Sequence, residues 1–329
     1  MQLLPLPGTT LSISPLCLGG VPFGLTLSEP ATFALLDRWI ELGGNFIDTA
    51  RIYSDWQPGE SRRSERVLGD WLHARGHRDR LVIATKGAHP FIDSLDVPRT
   101  SAAEIRNDLE GSLRQLRLDV IDLYWLHRDD TTRPVEHFID LLNVFLREGK
   151  VRAFGASNWT AARIRAANDY ARASRQQGFS ANQPFWCLGC QQSRPPPFTG
   201  YVKFDADALR CHRETGLPVV AYTSQANGFF SKLALPPPQR PANFDTHEFY
   251  TPPNLAAGKL VFEFAAARRV APSAIVLAYL WSRPGFRVVP VVGCRTPAHL
   301  EDSVAALSVR LSATEIAALD QASGSGLDV

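Results

Sequence analysis

Cysteine is scarce and scattered. Cys17, Cys187, Cys190, Cys211 and Cys294 are the five in 329 residues. An odd number spread through a chain of this length does not describe a disulfide framework. Cys187-Leu188-Gly189-Cys190 has CxxC spacing, but neither a second CxxC nor a histidine pair accompanies it to complete a zinc site. The eight histidines are dispersed, without the HxH or HExxH spacing that holds a catalytic metal. A GxSxG elbow and a phosphate-binding P-loop are both missing. No block of one charge sign stands out, and 35 Lys+Arg against 33 Asp+Glu leave a net charge of +2. That balance argues against a nucleic-acid or membrane partner. No run approaches the ~20 apolar residues of a membrane span. The opening Met1-Gln2-Leu3-Leu4-Pro5 lacks the basic and apolar segments of a secretory signal. A cytoplasmic setting is the expectation.

What is present is a relay of short apolar runs and amphipathic segments. A turn-rich opening, Pro7-Gly8-Thr9-Thr10, predicts a hairpin. A first strand near Cys17–Gly20 leads to a helix from Glu29 to Leu42, with Ser28 as N-cap. Strand two ends at Asp48 and precedes a helix over Ser64–Ala74; strand three ends at Lys86. Ser101 and Glu104 have capping-box spacing, in which each side chain satisfies a free donor at the helix start. Strand four ends at His127, ahead of a helix over Val135–Arg147.

The unit then repeats. Strand five, Val151–Ser157, runs into Asn158-Trp159 and a helix from Ala161. Strand six spans Phe179–Gln183, strand seven Leu217–Tyr222, and strand eight Val288–Val292. A long segment, Thr223–Asn254, and helices near Leu255–Arg268 and Ser273–Trp281 fill the interval before strand eight. Further helices start near Thr296-Pro297 and after Ser312, another capping box with Glu315. Strands alternating with helices in this way predict an α/β fold: a (β/α)8 TIM barrel with an N-terminal β-hairpin and extra C-terminal helices, one domain over 1–329. An open doubly wound sheet needs GxGxxG after strand one. Leu18-Gly19-Gly20-Val21-Pro22-Phe23-Gly24 does not supply it.

Three successive apolar runs end in ionisable residues: Asn45-Phe46-Ile47-Asp48 with Tyr53 close behind, Leu81–Lys86, and Ile121–His127. In a barrel, Asp48, Tyr53, Lys86 and His127 converge at the strands' C-terminal rim, where such folds keep their chemistry. A phenol is a poor acid at neutral pH unless its anion is stabilised. Lys86 can do that, Asp48 can keep the lysine charged, and His127 can polarise a carbonyl oxygen. The set suits protonation of an oxyanion formed as hydride reaches carbon.

Gly44-Asn45-Phe46-Ile47-Asp48-Thr49-Ala50-x-x-Tyr53, Ile83-Ala84-Thr85-Lys86, Asp122–His127 and Gly155-Ala156-Ser157-Asn158-Trp159 together resemble the aldo-keto reductase superfamily, almost end to end. The resemblance implies a catalytic tetrad of Asp48, Tyr53, Lys86 and His127, with Tyr53 as general acid. It also implies a nicotinamide cofactor bound across the barrel mouth, and Arg295 at its adenosine end predicts NADP, with NADPH preferred over NADH. Ser157, Asn158 and Gln183 would hold the carboxamide, which needs one acceptor and two donors, and Tyr222 would stack on the nicotinamide. Gly20, Val21, Thr223, Ser224, Gln225, Asn227 and Gly228 would approach the cofactor, although this last stretch departs from the family's usual Ser-Pro-Leu. Gly293, Arg295, His299, Asp302 and Ser303 fall at the adenosine end, Ser303 standing where many members have Asn. Arg295 can pair with a 2′-phosphate.

For the substrate, a small carbonyl or alcohol compound, Phe23, Trp56, Trp125, Arg128 and Trp186 join Tyr53 and His127 as pocket candidates, with 229–250 as a lid. Pro195-Pro196-Pro197 and Pro236-Pro237-Pro238 stiffen two long insertions. Two functions fit these residues. One is a carbonyl reductase reversible as an alcohol dehydrogenase. The alternative is a cofactor-sensing regulatory barrel like the β subunits of potassium channels.

Overall fold

A computed structural model of the chain describes residues 1–195 and 199–327. Pro196 and Pro197, part of one predicted stiff insertion, lie outside the described residues. Two compact units divide the chain. The first holds Met1–Gln183 with Gly293–Pro297, and the second holds Pro184–Val292 with the chain from Ala298 on. No described helix is long and apolar enough to cross a membrane.

In the first unit, β1 (Leu4–Pro5) and β2 (Ser12–Ile13) form the predicted hairpin, Leu4 opposite Ile13. Gly8 turns it with a φ of 72°, a left-handed conformation that a Cβ would disfavour. There follow β3 (Cys17–Gly19), α1 (Glu29–Glu41), β4 (Phe46–Asp48), α2 (Arg63–Arg75), β5 (Val82–Gly87), α3 (Ala102–Leu116), β6 (Ile121–Leu126), α4 (Val135–Arg147), β7 (Val151–Ser157), α5 (Ala161–Ala173) and β8 (Asn182–Gln183). The strands lie in the order β8-β7-β6-β5-β4-β3, each pair parallel. Every residue of β4, β5 and β6 is buried, which is why these strands read as unbroken apolar runs rather than alternating ones. Helices start where their caps predict. Ser28 accepts from the Ala31 amide, and Ser101 and Glu104 form the full reciprocal box.

The second unit contains α6 (Ala206–Thr215), α7 (Phe229–Leu233), α8 (Pro252–Arg268), α9 (Pro272–Trp281), the two-residue β9 (Val291–Val292), α10 (Pro297–Ala305, whose first residue belongs to the first unit) and α11 (Ala313–Ser323). Helix α6 was not anticipated from the sequence. Asp205 caps it by accepting from the Ala208 amide, and Gly216 ends it at φ 69°. Predicted strands seven and eight are shorter than expected. Their ladder runs Val219 N to Arg287 O (2.9 Å), Val289 N to Val219 O (2.8 Å), Ala221 N to Val289 O (3.1 Å) and Val291 N to Ala221 O (2.8 Å). These bonds run on past Pro290, whose missing N–H falls outside this ladder.

Candidate active site

The parallel register of β4, β5 and β6 sets Asp48 beside Ala84 and Lys86 beside Trp125. Asp48, Lys86 and His127 therefore finish at one edge of the sheet. The chain leaving β4 is held to β5 by Thr49 N to Ala84 O (2.9 Å) and Arg51 N to Lys86 O (3.1 Å), and it turns at Tyr53 N to Ala50 O (3.1 Å). Ser54 follows in a left-handed conformation, φ 84°. That turn swings the Tyr53 phenol back over Lys86.

Lys86 and Asp48 are 1% and 2% exposed, so neither charge is tolerable without the other. The ammonium donates to the Asp48 carboxylate, to the Thr49 carbonyl at 2.9 Å and to the Tyr53 hydroxyl at 2.9 Å. The carboxylate's other oxygen accepts from Trp125 Nε1 (2.9 Å) and Gln183 Nε2 (3.2 Å). His127 packs edge-on to Tyr53, ring centres 6.0 Å apart.

Electrostatics follow from this burial. It pulls the Lys86 ammonium down, but Asp48 and Tyr53 outweigh it and its pKa ends above 10.5. Burial pushes the Tyr53 phenol up; Lys86 opposes and Asp48 reinforces, leaving it above 10. The expected pull of Lys86 on the Tyr53 phenolate is present, and desolvation outweighs it. Burial, aided by His89, Arg128 and Lys86, holds His127 well below 6.5, so its imidazole is neutral at physiological pH.

Ser157, Asn158 and Gln183 are all buried, 1%, 3% and 1% exposed. Asn158, left-handed at φ 60°, donates to Ser157 Oγ (3.1 Å) and the His127 carbonyl (3.2 Å), and Ser157 Oγ donates to the Gln183 carbonyl (2.9 Å). This amide cluster is continuous with Asp48 through Gln183. Gly20 lies alongside, its N–H on the Asp48 carbonyl at 2.7 Å, and Val21 is exposed. Arg295 is exposed, and at Gly293 an added Cβ would meet open space.

In the second unit, Tyr222 stacks on Phe185 (5.5 Å, 26°). Thr223, Ala226, Asn227 and Gly228 are all left-handed, whereas the Ser224 hydroxyl is taken by the Val291 carbonyl at 2.6 Å. Gln225 is half-buried beside them, and Asn227 donates to Glu248. His299 and Asp302 are exposed on α10. Ser303 is buried and donates back to the His299 carbonyl at 2.8 Å.

The pocket candidates divide. Phe23, Trp125 and Trp186 are each fully enclosed, which corrects the expectation that they line a substrate pocket. Trp125 is spent on Asp48, and Trp186 is stacked on Phe204 at 3.9 Å. Trp56 is 40% exposed and edge-on to Tyr53 at 6.2 Å. Arg128 donates to the His127 carbonyl (3.4 Å). Its acidic neighbours are engaged elsewhere, Asp129 with Arg163 (3.0 and 2.9 Å) and Asp130 with Thr100 and Thr132. Cys187 and Cys190 are buried and free.

Sequence reading missed a second tier behind the site. Asp108, 1% exposed, binds Arg99 through two 2.9 Å bonds and Arg51 Nε at 3.1 Å, and accepts from the Ala88 amide at 3.0 Å. Next to Ala88 stands His89, whose ring centre is 4.7 Å from that of His127. The one signal in the sequence was a histidine immediately before a proline on the loop leaving the lysine strand.

The site is thus a buried Asp–Lys pair under a phenol, with a neutral histidine beside it, at one edge of a parallel sheet alternating with helices. The model of the aldo/keto reductase family matches residues 15–323, and the chain belongs to that family. With it come the (β/α)8 barrel fold and an oxidoreductase activity on carbonyl and alcohol groups that uses a nicotinamide cofactor. A norsolorinic acid reductase of Emericella nidulans is 33% identical over 329 residues, 95% of this chain and 79% of the relative. An aryl-alcohol dehydrogenase of Pestalotiopsis microspora is 28% identical over 334 residues, 96% and 80% of the two chains. An NADP(+) aryl-alcohol dehydrogenase of Phanerodontia chrysosporium is 33% identical over 197 residues, 55% and 50%.

Proposed function

We propose that the chain, acting as one domain over 1–329, is an NADPH-preferring reductase of aryl ketones or aldehydes that also runs as an alcohol dehydrogenase. The observation that carries the reading is the Tyr53 hydroxyl 2.9 Å from an ammonium that is itself held by Asp48. With a pKa above 10, Tyr53 is fully protonated at neutral pH, the state a proton donor needs. As the carbonyl carbon is reduced, its oxygen becomes a strong base and takes the phenolic proton. Lys86 then stabilises the phenolate left behind. Neutral His127 donates to the same oxygen and orients it. In the oxidative direction the phenolate accepts the alcohol's proton.

The nicotinamide cofactor, when bound, supplies or accepts the hydride. The residues present fit it. Ser157, Asn158 and Gln183 are a buried donor and acceptor set for a carboxamide. Left-handed backbone at Thr223, Ala226, Asn227 and Gly228 makes a turn of the kind that can present N–H groups to an anion. Exposed Arg295 suits a 2′-phosphate. The aryl character of the substrate is carried over from the names of the relatives, aryl-alcohol dehydrogenases among them. A panel of aryl and aliphatic aldehydes and ketones, each with NADPH and NADH and followed at the reduced nicotinamide absorbance, tests it. Turnover with NADPH and aryl carbonyls is expected; an inert protein across the panel would end the reading.

A further inference from the structure

Nothing in the proposed mechanism uses His89, yet its surroundings are built as tightly as the tetrad's. The residue is 8% exposed, and its Nδ1 lies 2.6 Å from the Pro90 carbonyl. A carbonyl only accepts, so the ring proton sits on Nδ1 and the tautomer is fixed. Its own carbonyl accepts from Arg99 at 3.1 Å. The preceding Ala88 is left-handed at φ 63°, a conformation that costs a non-glycine residue energy and persists where surrounding contacts impose it. Here the contact is Asp108, itself clamped by Arg99 and Arg51. At Gly87 an added Cβ would fall 1.9 Å from Tyr124 Oη, so the strand end cannot shift to relieve the loop. The chain from Gly87 to Pro90 is pinned, and what it presents is an imidazole 4.7 Å from His127, tilted by 59°.

His127 is therefore flanked by two rings, Tyr53 at 6.0 Å and His89 at 4.7 Å. Its backbone is tied to Gly87 O at 2.9 Å. Its Nδ1 is buried without a hydrogen-bond partner. A proton there would be a buried unsatisfied donor, a cost of about 1–3 kcal/mol, so the proton belongs on Nε2. We propose that His89 is a positioning residue for His127: its locked ring is the wall that fixes the plane in which His127 presents Nε2–H to the substrate oxygen. The inference rests on the proposed role of His127. The charged and titratable groups facing His127 are Tyr53 from the turn after β4, Lys86 and His89 from β5 and its loop, and Arg128 from its own segment.

The test compares His89→Ala, His89→Gln and His89→Phe in the full chain. Alanine removes the wall, and glutamine keeps a donor for the Pro90 carbonyl but no ring. Both should lower kcat about 10- to 100-fold, the scale of a misplaced donor, with little change in NADPH affinity. Water entering the gap should also bring a new acid limb into the pH–rate profile, as His127 becomes easier to protonate. Phenylalanine restores a ring and should recover kcat to within about threefold and remove the limb. If alanine does not fold, glutamine and phenylalanine carry the comparison. Imidazole ¹⁵N shifts give a readout independent of turnover. His127 should be a single Nε2–H tautomer in the wild type and in His89→Phe, and a mixture in His89→Gln. Wild-type kinetics and tautomer in the ring-less variants would overturn the proposal, as would a phenylalanine variant no better than glutamine. Loss of activity on Tyr53→Phe, measured alongside, reports on the underlying reading separately.

Discussion

Replacing Lys86 with methionine keeps the side chain's length and removes its charge. The ammonium's bond to Tyr53 is charge-assisted, 2.9 Å long and shielded from solvent. Such bonds contribute about 1.5–3 kcal/mol. At ~1.36 kcal/mol per decade, reduction should slow by roughly 10- to 150-fold. Asp48 makes matters worse, because its carboxylate already raises the phenol's pKa and would now do so without Lys86 to oppose it. The alcohol-oxidation profile should therefore shift to higher pH, since the phenolate it requires is harder to form. Breaking the buried pair should also cost about 3–5 kcal/mol of stability. The double variant Lys86→Met/Asp48→Asn separates these effects: it removes the stranded charge and should regain stability without regaining activity. Steady-state rates in both directions from pH 6 to 10, with urea unfolding of each variant, provide the data. A Lys86→Met enzyme within threefold of wild type and with an unmoved oxidation profile would refute the reasoning.

Two further outcomes follow from particular residues. Glu65 is fully buried, bonded by Thr85 at 2.6 Å, and burial raises its pKa from 4.5 to about 7. Its contribution to stability is thus complete below pH 4.5 and is lost as pH rises through 7, worth about 3 kcal/mol at ~1.36 kcal/mol per pH unit; Glu65→Gln should abolish that difference in urea unfolding at pH 5 and pH 8, and an unchanged difference would place its origin elsewhere. Arg295→Ala should raise the NADPH dissociation constant about 10- to 100-fold, for a loss of ~1.5–3 kcal/mol of charged hydrogen bonding, and leave NADH nearly untouched; equal losses for both would remove Arg295 from phosphate recognition.

The first half of the barrel was legible because burial on both faces makes strands β4, β5 and β6 into apolar runs, and because Ser28 and Ser101 announce their helices through local capping chemistry. The contacts among Asp48, Lys86 and Tyr53 could be expected for the same reason: successive parallel strands end at one edge. Strands seven and eight were drawn longer than the regular strand that forms there, β9 covering just Val291–Val292. Helix α6 was overlooked although Asp205 and Gly216 bracket it, a start and stop signal passed over amid the long insertion around it. Whether an aromatic faces a pocket or the core is decided by packing rather than pattern, and Trp125, Trp186 and Phe23 all went to the core. His89 and Asp108 were missed for a similar reason: their partners lie on other elements, and beyond the His89-Pro90 pair no spacing along the chain points to them.

The central claim is that Tyr53 gives its proton to the substrate. Tyr53→Phe keeps the ring against Trp56 and His127 and removes that proton alone. Single-turnover reduction of an aryl aldehyde by the NADPH-loaded variant should be about 10²–10⁴ slower than wild type, the usual contribution of a general acid, with NADPH affinity unchanged. A rate near that of the wild type would contradict the account.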